Sequence, residues 1–146
     1  MKVFLAGIIQ GSIKEPRIHS QDWRHSIRRI LETHLPQAQV YCHYSRHPNS
    51  ISYDMPRIIE TLEEGNCLAG ECDLLIAYVP SASMGTAIEM YLAARNGAKV
   101  VTISPLQANW VIRAYSHRLL ADMNEFETFA ASGGLRQLLE HEDSSA

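Results

Sequence analysis

The chain has 146 residues, enough for one domain that buries its own core without disulfides or a structural metal. Hydrophobic residues make up 46% and charged residues 20%, an ordinary globular balance, and the formal net charge of -3 at pH 7 argues against an electrostatic binder of nucleic acid. No segment reaches the roughly 18 consecutive apolar residues that a membrane-spanning helix needs, so the expectation is a cytoplasmic protein without membrane or nucleic-acid partners.

Residues 2–6 form an apolar run that ends at Gly7 and the "QGS" loop, which predicts a buried first strand rather than a signal peptide, because Gln10 interrupts the run and no small-residue cleavage pattern follows. Residues 20–35 carry Trp23, Ile27, Ile30, Leu31 and Leu35 at helical spacing, with Ser20 as the expected N-cap and Pro36 as the stop. Residues 38–42 predict a second strand. "HYSRHPNSISY" reads as a polar loop. Its His43 and His47 follow Cys42 at suggestive spacing, but too few ligands gather there and no metal is expected. The three cysteines, Cys42, Cys67 and Cys72, are odd in number and form no CxxC pair, so free thiols are expected.

Asp54 and Pro56 signal the start of a helix over 54–71, with Gly65 expected to break or bend it. "CDLLIAYV" is a continuous apolar run, the mark of a strand covered on both faces, and Asp73 at its start is read as a structural strand-end residue. Then come the loop "SASMG", a helix over 86–97 closed by Gly97, and the strand "AKVVTIS" stopped by Pro105. "NWVIRAYSHRLL" and "NEFETFAASGGLRQLLEH" each predict a helix. Residues 142–146 are expected to be a disordered tail.

Strands alternating with helices over 1–141 predict one domain. Its class is α/β, a flavodoxin-like or Rossmann-like sandwich with a mostly parallel sheet and helices on both faces. Ligands in such sheets bind at the carboxyl ends of strands, near a topological switch point. Two loops lie at such ends, "GIIQGS" and "PSASMG". Neither is a P-loop or a dinucleotide fingerprint. Glu89 lies just beyond the second loop, in a helix that is apolar almost all round and is therefore expected to be buried. A buried carboxylate there serves as a nucleophile or an acceptor for a sugar hydroxyl; equally, it can serve only the helix dipole.

Taken together, "FLAGIIQGS", "DWR" and "CDLLIAYVPSASMGTAIEMYLAARNGAKVVTISP" resemble the nucleoside 2-deoxyribosyltransferase family and its relatives, the nucleotide N-glycoside hydrolases, over residues 2–105. The resemblance implies a homodimer or higher oligomer and an enzyme that needs neither cofactor nor metal. It implies cleavage or transfer at the N-glycosidic bond of a nucleoside or nucleoside 5′-monophosphate, with Glu89 attacking the anomeric carbon. Ser83 stands where the hydrolases place a phosphate-binding serine and the transferases an aspartate, which favours a monophosphate, since a hydroxyl donates to phosphate and a carboxylate repels it. Phe4, Gly7, Gln10, Gly11, Met84 and Gly85 complete the expected substrate contacts, and Asn109 and Ser116 are expected to reach a neighbour's site, where Arg113 or His117 would meet a phosphate.

The chain departs from the family at several positions. Phe4 replaces a tyrosine, Ile8 and Gln10 replace a serine and an arginine, and Gly65 stands at the position of a base-binding aspartate. Ser12, Arg17 and Arg24 are candidate substitutes on the phosphate side, and Asn66, Glu64 and Asp54 on the base side. Trp23 is read as core rather than base-stacking. These departures leave two alternatives: a non-catalytic nucleotide-binding module of the same fold, and a glycohydrolase of NAD or a modified nucleotide.

Overall fold

The apolar runs become strands. The computed structural model describes residues 1–141, so the tail expected over 142–146 lies outside the described residues. β1 (Lys2–Gly7), β2 (Gln39–Cys42), β3 (Leu74–Tyr78), β4 (Lys99–Ile103) and β5 (Arg118–Leu120) form one sheet in the order β2-β1-β3-β4-β5, with every neighbouring pair parallel. β1, β3 and β4 lie in the interior of the sheet and are apolar on both faces because both faces are covered. This is the flavodoxin-like order.

The period-2 alternation assigns side chains to two cores. Val3, Leu5, Leu74, Ile76, Val101 and Ile103 pack with Ile27 and Leu31 of α1 (Trp23–His34), Phe126 of α6 (Met123–Ala131) and Leu135 of α7 (Gly134–Glu140). Phe4, Ala6, Leu75, Ala77 and Val100 pack with Ala69 of α3 (Met55–Gly70), Met90 and Ala93 of α4 (Met84–Arg95) and Ile112 of α5 (Trp110–Tyr115). Asp54 caps α3 by accepting from the Arg57 N–H at 3.1 Å, as its place before Pro56 predicts. Gly97 takes φ +90° just past α4. Asp73 accepts from the Lys2 N–H at 2.7 Å, which ties the start of β3 to the start of β1 and is a structural role. Cys42, Cys67 and Cys72 are all free.

Five expectations are corrected. First, α1 starts at Trp23 behind Asp22 rather than at Ser20, because Gln21 spends its side chain on the Ile8 and His19 carbonyls, at 3.0 and 2.9 Å, and holds the preceding loop out of helix. Second, the polar loop after β2 contains a helical turn, α2 (His43–Arg46), and a 3-10 turn (Ser50–Ser52), with His47 buried between partners for both ring nitrogens. Third, α3 runs through Gly65 unbroken; the glycine serves close packing there, not a bend.

Fourth, residues 118–120 form the edge strand β5, too short and too mixed to stand out from the helical pattern before it. The last segment is two helices divided at Gly133, whose φ of +82° no helix continues. Fifth, α4 is not buried all round. Its Ile88 and Tyr91 face outward, together with Met55, Ile59 and Leu62 of α3 and with Trp110 and Val111 of α5. Among the described residues no helix is long and apolar enough to cross a membrane.

Candidate active site

The sheet order reverses between β1 and β3: from β1 the chain moves out to β2, then returns to the other side of β1. The carboxyl ends of these two strands, Gly7 and Tyr78, lie side by side in register. Above them opens a cavity of about 480 Å³. The loop after β1 closes one side. It is pinned by the His19 N–H to the Ile9 carbonyl at 2.7 Å and turned by Gly11, whose φ of +59° suits glycine.

Seven residues expected from sequence line this cavity: Gly7, Gln10, Gly11, Ser83, Met84, Gly85 and Glu89. Met84 and Gly85 belong to the first turn of α4, which begins one turn earlier than the pattern predicts because Ser83 caps it. The Ser83 hydroxyl accepts weakly from the Thr86 N–H at 3.5 Å and pairs with the Thr86 hydroxyl at 2.8 Å. A Cβ placed on Gly85 would meet nothing within 4 Å, so its bareness leaves cavity space rather than relieving a clash.

Glu89 is the one carboxylate among the described residues of the cavity wall. Its residue surface is partly open to the cavity, while the protein packed around the carboxyl strips it of water. That desolvation pushes its pKa up to about 8, and the positive charge of Arg24 opposes the shift. No hydrogen bond from another described residue holds the carboxylate, so its oxygens are free to meet a ligand.

Four expected contacts lie elsewhere. Phe4 is buried in the sheet core and stacked on Tyr41, with ring centroids 5.4 Å apart; the alternation of β1 turns it away from the cavity. Asn66 of α3 is not in the wall. Asn109 caps α5 by accepting from the Ile112 N–H at 3.1 Å, and borders a separate apolar pocket of about 180 Å³. The Ser116 hydroxyl pairs with Thr102 at 2.7 Å inside the fold.

The proposed substitutes do not arrive either. Arg17 is exposed beside Glu15. Arg24 is buried: it donates to Gln21 Oε1 at 2.7 Å and to the Leu5 and Gly7 carbonyls, sits 3.4 Å from Cys42 Sγ and stacks over Trp23 at 4.2 Å. Burial alone would raise the Cys42 thiol, but Arg24 and hydrogen bonding with Ser45 hold it below its ordinary value. Trp23 is core, packed on Tyr78 with centroids 4.8 Å apart. Glu64 pairs with His47 at 2.8 Å and Arg46 at 3.4 Å.

The rest of the wall escaped the sequence reading. Ile9 and Pro16 come from the loop after β1. His43, Ser50, Ile51 and Tyr53 come from the segment after β2 that read as an undifferentiated polar loop. Ile58, Thr61, Leu62 and Gly65 come from α3, and Thr86 from α4. The available signal was the side of α3 at positions 58, 61, 62 and 65, spaced to share a helix face toward the switch point. Among the described residues the wall contains no lysine or arginine. No three His, Cys, Asp or Glu side chains gather closely enough among the described residues to hold a metal ion.

No protein-family model matches the chain, and no curated protein matches it significantly. Solved structures do share its fold. The 2-deoxyribosyltransferase of Bacillus psychrosaccharolyticus superposes with a TM-score of 0.64 at 16% identity, over 87% of this chain and 90% of that one. The Clostridium botulinum CMP N-glycosidase BcmB gives 0.54 at 20% identity, over 90% and 99%. A conserved protein from Enterococcus faecalis V583 gives 0.57 at 15% identity, over 90% and 98%. The nucleoside 2-deoxyribosyltransferase-like fold expected from the sequence is the fold of this chain.

Proposed function

We propose that the chain is an enzyme that cleaves or transfers the N-glycosidic bond of a nucleoside or nucleoside 5′-monophosphate through Glu89. The observation that carries this reading is the unheld, desolvated carboxylate at the switch-point cavity. The shared fold of a deoxyribosyltransferase and a CMP N-glycosidase supports it. A Glu89 oxygen attacks the anomeric carbon as the C1′–N bond breaks, and the bonding pair leaves with the base. Water or a second base then displaces Glu89 from the same carbon. Two inversions at one centre retain configuration.

The cavity favours the uncharged nucleoside over the monophosphate. A phosphate needs a compensating cation or several free N–H donors. The described wall carries no such cation, and the Ser83 hydroxyl is shared with Thr86. The test is chromatographic detection of free base after incubation with nucleosides, ribo- and deoxynucleoside monophosphates and NAD. Base released by the parent and not by Glu89→Gln supports the reading. Ligand-induced thermal stabilisation without base release replaces it with the binding-module alternative.

The outward apolar row on α3, α4 and α5 supports the homodimer. It is continuous with the cavity rim, since Ile51, Leu62 and Met84 are both exposed and part of the wall. A second copy seated there would bury this row and roof the cavity. Trp110 is 85% exposed and Ile88 48%, so both are anchors in such an interface. Sedimentation equilibrium is expected to show a dimer for the parent and a monomer for Ile88→Asp/Trp110→Asp. A monomeric parent would sink the proposal.

A further inference from the structure

His43 stands in the cavity wall with Glu89, and the reaction written above does not use it. Its ring lies against the bare backbone of Gly65. A Cβ there would stand 3.2 Å from Cε1, 3.3 Å from Nδ1 and 3.5 Å from Nε2, so a larger side chain at 65 would contest the ring's place. The Tyr41 hydroxyl is 3.0 Å from Nδ1. Behind His43, with ring centroids 5.0 Å apart, His47 is fixed by the Glu64 carboxylate at Nε2, 2.8 Å, and by the Tyr53 hydroxyl at Nδ1, 3.1 Å. The imidazole is thus gripped at one nitrogen and packed on two sides.

Its tautomer follows from the partners. Burial pushes His43 down to about 4, so the ring is neutral and carries one proton. Burial also pushes Tyr41 up to about 12, so the phenol keeps its proton. Among the described residues that proton has one hydrogen-bond partner, Nδ1 of His43. Tyr41 therefore donates to Nδ1, and the imidazole proton sits on Nε2. No described residue is hydrogen-bonded to Nε2.

We propose that His43, fixed by Tyr41 and seated in the space that Gly65 leaves open, donates a hydrogen bond from Nε2 to the substrate's base and thereby selects which base departs. This rests on the N-glycosidic reading. As the C1′–N bond breaks, its electron pair enters the base, and a ring nitrogen or carbonyl oxygen conjugated with the departing nitrogen gains negative charge. A neutral, preorganised N–H aimed there is worth more in the transition state than before it. His43 gives up no proton; the departed base takes one from water. A base with an acceptor at that position is favoured, and one presenting an amino group there meets donor with donor.

Two measurements test this on uridine, 2′-deoxyuridine, inosine and 2′-deoxyinosine. Long-range ¹H–¹⁵N correlation should show His43 protonated at Nε2, with that signal shifted by at least one of the four nucleosides. A proton on Nδ1 in the parent, or no shift with any of them, overturns the proposal. In base release, His43→Ala should lose about 10- to 100-fold in kcat/KM, chiefly in kcat, and less on the 5-fluoro derivatives, whose base leaves more easily. His43→Gln, whose amide N–H reaches close to the Nε2 position, should recover most of the loss. Gly65→Ala, which displaces the ring, should resemble His43→Ala. Unchanged turnover in His43→Ala while Glu89→Gln is inactive overturns this proposal alone. Full turnover in Glu89→Gln removes the N-glycosidic reading and this proposal with it.

Discussion

The Glu89→Gln enzyme is expected to release base at least about a thousandfold more slowly than the parent, because the amide keeps the shape of the carboxylate and loses its nucleophilicity. The loss should fall on kcat, since a neutral cavity still accepts the neutral substrate. The pH dependence adds a second signature. The nucleophile acts as the carboxylate, and desolvation pushes Glu89 up to about 8. In the parent, kcat/KM should therefore climb as pH rises toward 8 and level off above it, reporting the free enzyme. Arg24 opposes the shift. Arg24→Met should accordingly move the rise to higher pH.

Stability runs the opposite way. A carboxyl whose folded pKa lies above its unfolded value near 4.5 binds more protons in the folded state across that interval. Stability from this group is fully present below about 4.5 and is lost as pH rises through about 8. Glu89→Gln removes the titration. The variant should unfold at a higher temperature than the parent at pH 9 and at nearly the same temperature at pH 4.5, read by circular dichroism. Greater stabilisation at the acidic end would show that the carboxyl is not desolvated.

Gly7→Ala is expected to destabilise the fold by about 2–3 kcal/mol, lowering Tm by roughly 6–12 °C for a domain of this size. An added Cβ would lie 2.2 Å from Cη2 and 2.5 Å from Cζ2 of Trp23, and 3.0 Å from the Tyr78 carbonyl. The carbonyl belongs to the neighbouring strand and cannot yield, so the indole must. Trp23 is 8% exposed, packs on Tyr78 and carries the Arg24 guanidinium on its face, so its displacement disturbs the groups beneath the cavity as well as the core. Gly7→Ala/Trp23→Leu should recover part of the loss. Gly85→Ala is the contrast: its Cβ meets nothing, and helix propensity makes it neutral or stabilising by up to about 1 kcal/mol, while it narrows the cavity. An unshifted Tm in Gly7→Ala would mean that Trp23 does not rest on that glycine.

The sequence by itself determined the sheet and the place of the carboxylate. Runs such as "VFLA" and "LLIAY" are apolar at every position, and only a strand covered on both faces tolerates that. Helical spacing between those runs requires crossovers, and crossovers require parallel strands. The position of Glu89 after the third such strand then follows from chain order, since a helix begun at a strand's carboxyl end carries its first turns past the ligand crevice. Asp54 announced itself for the same local reason: a cap depends on its own next three residues.

What the tertiary structure decided depends on residues far apart in sequence. Arg24 reads as a surface cation on a helix. Only the convergence of the Leu5 and Gly7 carbonyls, Gln21, Cys42 and the Trp23 face makes its burial tolerable, and that same burial withdraws it from any phosphate. Phe4 reads as a site residue, but the pleat of β1 turns it into the core, because neighbouring side chains on a strand point to opposite faces. His43 sits in a segment without periodicity, and its contacts with Tyr41, His47 and the bare face of Gly65 form only when α2 lies over α3. Local pattern fixes which elements form and in what order. The partners that set a side chain's charge, tautomer and access come from other elements, brought near by packing that has no period to read.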